Sequence, residues 1–176
     1  MARIEIWNGD ICDLEVDAIV APAVGSLWMS TGVAGAIKRA GGDAIEFAAV
    51  PQGPIELGQA VVTPAGTLAA RAIIHAVSLD RDRRTTAETL EAAVRSAMAR
   101  AREIGATSIA IPALGSGVGG FPLDEGARIT IAAVRDELAA SPTIMQVVFA
   151  LRGAAAYQAF STALQEATAM TGATGE

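Results

Sequence analysis

Ser108-Ile109-Ala110-Ile111 runs straight into Pro112-Ala113-Leu114-Gly115-Ser116-Gly117-Val118-Gly119-Gly120-Phe121-Pro122. The first four residues form a short apolar stretch that reads as an inner strand. The loop behind them carries four glycines in six residues, and a helix is expected at 123–138. Glycines let another group approach the main chain closely. Bare N–H groups just ahead of a helix N-terminus form a cradle for anions, phosphate above all. A strand, a bare turn and a helix in this order make one unit of an α/β fold with parallel strands.

On either side the same alternation continues. Strands are expected at 3–7, 18–20, 59–63, 72–77, 108–111 and 145–151. Helices are expected at 33–49, with an interruption at Gly41-Gly42, and at 85–104, 123–138 and 154–169. The helix at 85–104 is the clearest. Thr86 stands as its N-cap, and Leu90, Ala93, Val94, Ala97, Met98 and Ala101 share one face. The later half implies parallel neighbours in a sheet covered on both faces. No internal repeat, linker or second domain is evident. Residues 1–170 are expected to form one domain, and 171–176 a fraying tail.

Composition narrows the function classes. Hydrophobic residues make up 52% of the 176 residues and charged ones 18%, so a packed globule is expected. Aromatics are only 4%, which leaves the core to Ala, Val, Ile and Leu. A formal net charge of −6 argues against a nucleic-acid or anionic-membrane surface. It does not argue against an anionic ligand, because backbone N–H groups bind anions without net positive charge. No apolar run reaches the length of a membrane helix, and no leader pattern opens the chain. Cys12 is the only cysteine, as suits a reducing compartment, and a cytoplasmic location is expected.

Gly115-Ser116-Gly117-Val118-Gly119-Gly120 formally fits G-x-G-x-x-G. A dinucleotide site of that type wants the motif after the first strand and an acid closing the next one. Here the motif is late, and the next strand closes on Phe149-Ala150-Leu151-Arg152. The alternative reading is a tight turn with no ligand.

Two more segments fall at strand ends. In Gly9-Asp10-Ile11, Asp10 either accepts from an exocyclic amine or caps a short turn at 11–14. The loop at 24–32 ends another strand and opens another helix. It offers Ser30, Thr31 and the N–H groups of Gly32 and Val33 to an anion.

These segments carry a resemblance to the macro domain, the ADP-ribose-binding module. The matching residues are Gly9-Asp10-Ile11, Val16-Asp17-Ala18-Ile19-Val20, Gly32-Val33-Ala34-Gly35-Ala36-Ile37, Gly58-Gln59-Ala60-Val61, Ile73-Ile74-His75-Ala76-Val77 and residues 112–122, with Tyr157-Gln158-Ala159-Phe160 near the end. The resemblance implies a three-layer α/β/α sandwich around a mixed six- or seven-stranded sheet. It implies that Asp10 holds the adenine amine and that Ile11 meets the ring. Gly32 and Val33 would approach the diphosphate and distal ribose. Ser116, Gly117, Val118, Gly119 and Gly120 would wrap the diphosphate, with Phe121 beside the distal ribose. Arg152 stands where family members often stack an aromatic ring on the adenine.

The departures bear on catalysis. Where the family usually reads Asn-Ala-Ala-Asn, this chain reads Ala21-Pro22-Ala23-Val24, so Val24 replaces an amide that contacts the distal ribose. In the hydrolytic branch an acidic residue stands where this chain has Ala34. Lys38 is the nearest other titratable group. The expected function is therefore binding of ADP-ribose, free or on an ADP-ribosylated macromolecule, or of a related nucleotide diphosphate, with no cofactor and no metal. Catalytic residues stay unassigned. The alternative is an ADP-ribosyl hydrolase or O-acetyl-ADP-ribose deacetylase with a non-standard base. His75 reads as a structural histidine, Trp28 as a lid or contact residue, and 80–84 as a solvated charged loop.

Overall fold

The computed structural model describes residues 1–173. Six strands form one mixed sheet in the order β1-β6-β5-β2-β4-β3. They are β1 Arg3–Asn8, β2 Ala18–Val24, β3 Ala60–Pro64, β4 Ala72–Leu79, β5 Ser108–Ile111 and β6 Gln146–Leu151. Every neighbouring pair is parallel except β3 with β4. The helices are α1 Gly32–Gly41, α2 Ala44–Ala49, α3 Ala87–Glu103, α4 Leu123–Ala140 and α5 Ala154–Ala173.

Ala18, Ile19, Val20 and Ala21 are all fully buried, because successive side chains of β2 enter opposite helical layers. Ala18 and Val20 pack with Leu90 and Met98 of α3, Ile131 of α4 and Phe160 of α5. Ile19 and Ala21 pack with Ala34 and Ile37 of α1. The result is the expected three-layer α/β/α sandwich. The aromatic scarcity leaves one ring pair in the core among the described residues, Phe149 on Phe160 with centroids 5.3 Å apart.

The expected interruption at Gly41-Gly42 is a full break. Gly42, at φ 102°, ends α1, and α2 starts afresh. Thr86 caps α3 in a reciprocal box with Thr89. The last helix runs to Ala173, into the stretch expected to fray, and residues 174–176 lie outside the described residues.

One difference from the sequence reading positions the site. The strand expected at 18–20 continues through Pro22 to Val24. A proline inside a sheet normally has to sit at an edge. Here β5 pairs with β2 only at Ala18 and Ile19, while β4 follows β2 through Val24 with a register shift after Ala23. Beyond Ile19 no strand among the described residues therefore pairs with that side of β2, and Pro22 costs no ladder bond there. The gap between the carboxyl ends of β2 and β5 is a crevice, the usual ligand position in open α/β sheets.

Candidate functional site

A cleft of about 480 Å³ fills that crevice. It is lined from the ends of β1, β2, β4, β5 and β6 and from the first turn of α1. Its volume lies within the range of small-ligand sites.

The α1 wall is a row of donors. The first N–H groups of a helix have no partner within the helix, and they sit at the positive end of its dipole. Here Gly35 N donates to Thr31 O at 3.0 Å. Among the described residues no acceptor meets the N–H groups of Gly32, Val33 or Ala34, and all three residues line the cleft. The Thr31 side chain does not cap them.

The glycine loop forms the facing wall. Phe121 N donates to Gly115 O at 2.9 Å and Gly120 N to Gly117 O at 3.2 Å, which folds the loop on itself. Gly119 is held so closely that a Cβ there would lie 2.6 Å from both Gly115 O and Thr85 Oγ1. A Cβ on Gly117 would meet nothing within 4 Å. Among the described residues no backbone acceptor meets the N–H groups of Gly117, Val118 or Gly119. Ser116 Oγ is spent locally, donating to Ala113 O at 2.9 Å.

At the third side stands Asp10. Its two readings, cap and acceptor, are not exclusive. Oδ1 accepts from Cys12 N at 2.9 Å and caps the one-turn 3-10 helix Ile11–Asp13. Oδ2 accepts from Arg152 Nη2 at 2.8 Å. The Cys12 N–H above all, with Arg152, holds the Asp10 carboxyl below its usual range. Burial, then the Asp10 charge, pushes the Cys12 thiol up to about 11, which leaves it inert.

Of the residues picked from sequence, the cleft gathers Asp10, Ile11, Thr31, Gly32, Val33, Ser116, Gly117, Val118, Gly119 and Arg152. Four lie outside its lining. Val24 and Ser30 face a small adjoining pocket with Trp28 and Arg83. Gly120 closes the loop turn at φ 62°. Phe121 packs against the core on the α3–α5 side of the sheet, close to Gly126. Lys38 is turned away to Glu46, with Nζ 2.8 Å from Oε1. His75 is buried in β4, 2.9 Å from Thr63 Oγ1, and does not line the cleft.

Two cations at the site are not among the ligand-binding residues expected from the sequence. Arg39 lines the cleft, folded back along α1 over Gly35. Helical spacing could have found it, because 32, 36 and 39 share one face. Arg83 lies in the loop expected to be merely solvated, yet its Nη1 donates to Thr31 Oγ1 at 3.1 Å. No local signal marks it.

The cleft thus combines two facing rows of N–H donors with Arg39 and Arg152, in a chain of net charge −6. Asp10 is the one carboxylate among its lining residues, and no His, Lys or Cys joins it. Such a site is built to hold a polyanion beside a hydrogen-bond acceptor. It presents no unpaired general base.

Known proteins share this sequence pattern and this fold. A family model described as Macro domain matches residues 20–130. An uncharacterized protein of Mycobacterium tuberculosis is 42% identical over 165 residues, 94% of this chain and 45% of that protein. The chain therefore spans about half the length of the first curated relatives it matches. A Salmonella gallinarum protein named O-acetyl-ADP-ribose deacetylase is 40% identical over 154 residues, covering 84% of this chain and 86% of that one. The solved structure of a Trypanosoma brucei macrodomain in complex with ADP-ribose superposes with a TM-score of 0.85 at 26% identity, over 92% of this chain and 68% of that one.

Proposed function

As this chain belongs to the macro domain family, we propose that its cleft binds ADP-ribose, free or carried on an ADP-ribosylated macromolecule. One observation carries the reading. The N–H groups of Gly32, Val33 and Ala34 and those of Gly117, Val118 and Gly119 line one cleft and lack protein acceptors among the described residues. A diphosphate placed between them would receive hydrogen bonds from both walls, at the positive end of α1. Asp10 then lies where an adenine amine can donate to it, with Ile11 beneath the ring and the Arg152 guanidinium available to its face. No cofactor or metal enters this reading.

Calorimetric titration with ADP-ribose tests it directly. Saturable binding at micromolar ligand is expected, with ADP retaining much of the affinity. Absence of heat up to millimolar ligand would remove the reading.

A second reading comes from the Salmonella relative's name, hydrolysis of an ester on the distal ribose. It needs a proton acceptor near that ribose. Ala34 and Val24 supply none, so water would have to be oriented by ligand oxygens or backbone carbonyls. Release of acetate from O-acetyl-ADP-ribose, lost on substitution in the cleft, would establish it. Without turnover the protein is a binding module. No helix among the described residues is long and apolar enough to cross a membrane. The single thiol Cys12 fits the reducing cytosol to which we assign it.

A further inference from the structure

Thr31 stands at the N-cap of α1 but does not cap it. Its backbone is extended, at φ −140° and ψ 168°, the geometry from which a threonine hydroxyl accepts from the second or third helical N–H. No such bond forms. The hydroxyl accepts instead from Arg83 Nη1 at 3.1 Å, and Arg83 Nη2 reaches Ser30 Oγ at 3.5 Å.

Arg83 is held out for this contact by its own turn, between β4 and α3. Asp80 Oδ1 accepts from the N–H groups of Asp82 at 2.8 Å and Arg84 at 2.9 Å. Arg83 N donates to Asp80 O at 3.0 Å. Arg83 itself adopts φ 59°, the left-handed region that few residues other than glycine occupy. A shaped turn therefore presents the guanidinium, and its charge-assisted bond holds the hydroxyl in a direction that leaves the α1 N–H groups uncapped.

We infer that Arg83 is a positioning residue: by drawing the Thr31 hydroxyl away from α1, it keeps the first-turn N–H groups open to the ligand's phosphates. The inference rests on the ADP-ribose reading. A cap and a phosphate compete for the same donors. A protein that satisfied them internally would have to break that bond on every binding event. The Arg83–Thr31 contact leaves α1 less stable and more receptive.

Two substitutions and their combination test it. In Arg83→Ala the released hydroxyl caps α1. The free protein should melt about 2–4 °C higher, while the affinity for ADP-ribose falls roughly three- to tenfold. In a Thr31→Val background, which has no hydroxyl to release, adding Arg83→Ala should change neither quantity. Equal weakening in both backgrounds would mean that the guanidinium touches the ligand itself, and would overturn the positioning role. A lower melting point for Arg83→Ala would make the contact a structural brace and overturn it too. If the unmodified protein takes up no ADP-ribose, the binding reading fails separately, and the pair of melting temperatures still decides whether Arg83 and the cap compete.

Discussion

Arg152 Nη2 lies 2.8 Å from Asp10 Oδ2, joining the end of β6 to the turn after β1 across 142 residues of sequence. The pair frames the side of the cleft assigned to the base. Arg152 is 72% exposed along its side chain, so the contact organises the carboxylate more than it stabilises the fold.

Asp10→Asn should separate the two jobs of that carboxylate. Asparagine caps a helical turn as well as aspartate does, so melting should hardly move. The charged acceptor is lost, and affinity for ADP-ribose should fall by about tenfold or more. Asp10→Ala should also lose the cap, at about 1 kcal/mol of stability. Arg152→Ala should melt like the unmodified protein. Titration calorimetry with thermal melts decides, and full affinity in Asp10→Asn would remove Asp10 from the site.

Gly117 and Gly119 should answer differently to the same change. A Cβ on Gly117 enters open space in the cleft, so Gly117→Val should keep the fold and abolish ligand binding. A Cβ on Gly119 collides with the Gly115 carbonyl and the Thr85 hydroxyl. Gly119→Val should therefore lower the melting temperature as well. A Gly117→Val protein that binds normally would show that the diphosphate does not lie on this loop.

Glu46, only 4% exposed, ties the ligand loop to the body of the protein. Its Oε2 accepts from Met29 N at 2.7 Å and its Oε1 from Lys38 Nζ at 2.8 Å. Glu46→Ala leaves the Met29 N–H without that acceptor and should cost about 1–3 kcal/mol of stability. Because Met29 directly precedes Ser30 and Thr31, affinity should fall as well. Urea denaturation and calorimetry measure both, and an unchanged denaturation midpoint would refute the tether.

Acid should act through two groups at different pH. Burial holds His75 down from 6.5 to about 4 in the folded protein. Its neutral form therefore contributes stability that is complete above pH 6.5, falls as pH drops, and is gone by about 4, at most about 3 kcal/mol. His75→Gln should flatten that limb. Asp17 is held down to about 2, first by the Thr107 N–H and then by Arg71. Its contribution is present above the unfolded carboxylate range and disappears as pH falls towards 2. Denaturation midpoints between pH 7 and 2 would show the two limbs, and a His75→Gln curve parallel to that of the unmodified protein would refute the first.

Much of the fold is visible in short stretches. The six-residue face of α3, the doubly buried run of β2 and the glycine loop after β5 each rest on neighbours within a few positions. Both walls of the cleft follow from the same kind of signal, a strand that ends in bare backbone before a helix. The extension of β2 to Val24 was hidden. It depends on β5 leaving β2 while β4 stays beside it, and Pro22 read alone points to a loop.

The sequence by itself therefore determined a helix-covered, largely parallel sheet and the donor rows, because periodicity and glycine placement act through adjacent residues, while its ordered motifs carried the resemblance to the family. Tertiary structure alone decided which polar groups meet across that cleft. It placed Arg152 on Asp10 and Arg83 on Thr31, and it set Val24, Ser30 and Phe121 outside the main cavity. Those outcomes depend on where crossover connections deliver residues tens of positions apart. A long flexible side chain carries no local pattern that says which partner it will reach.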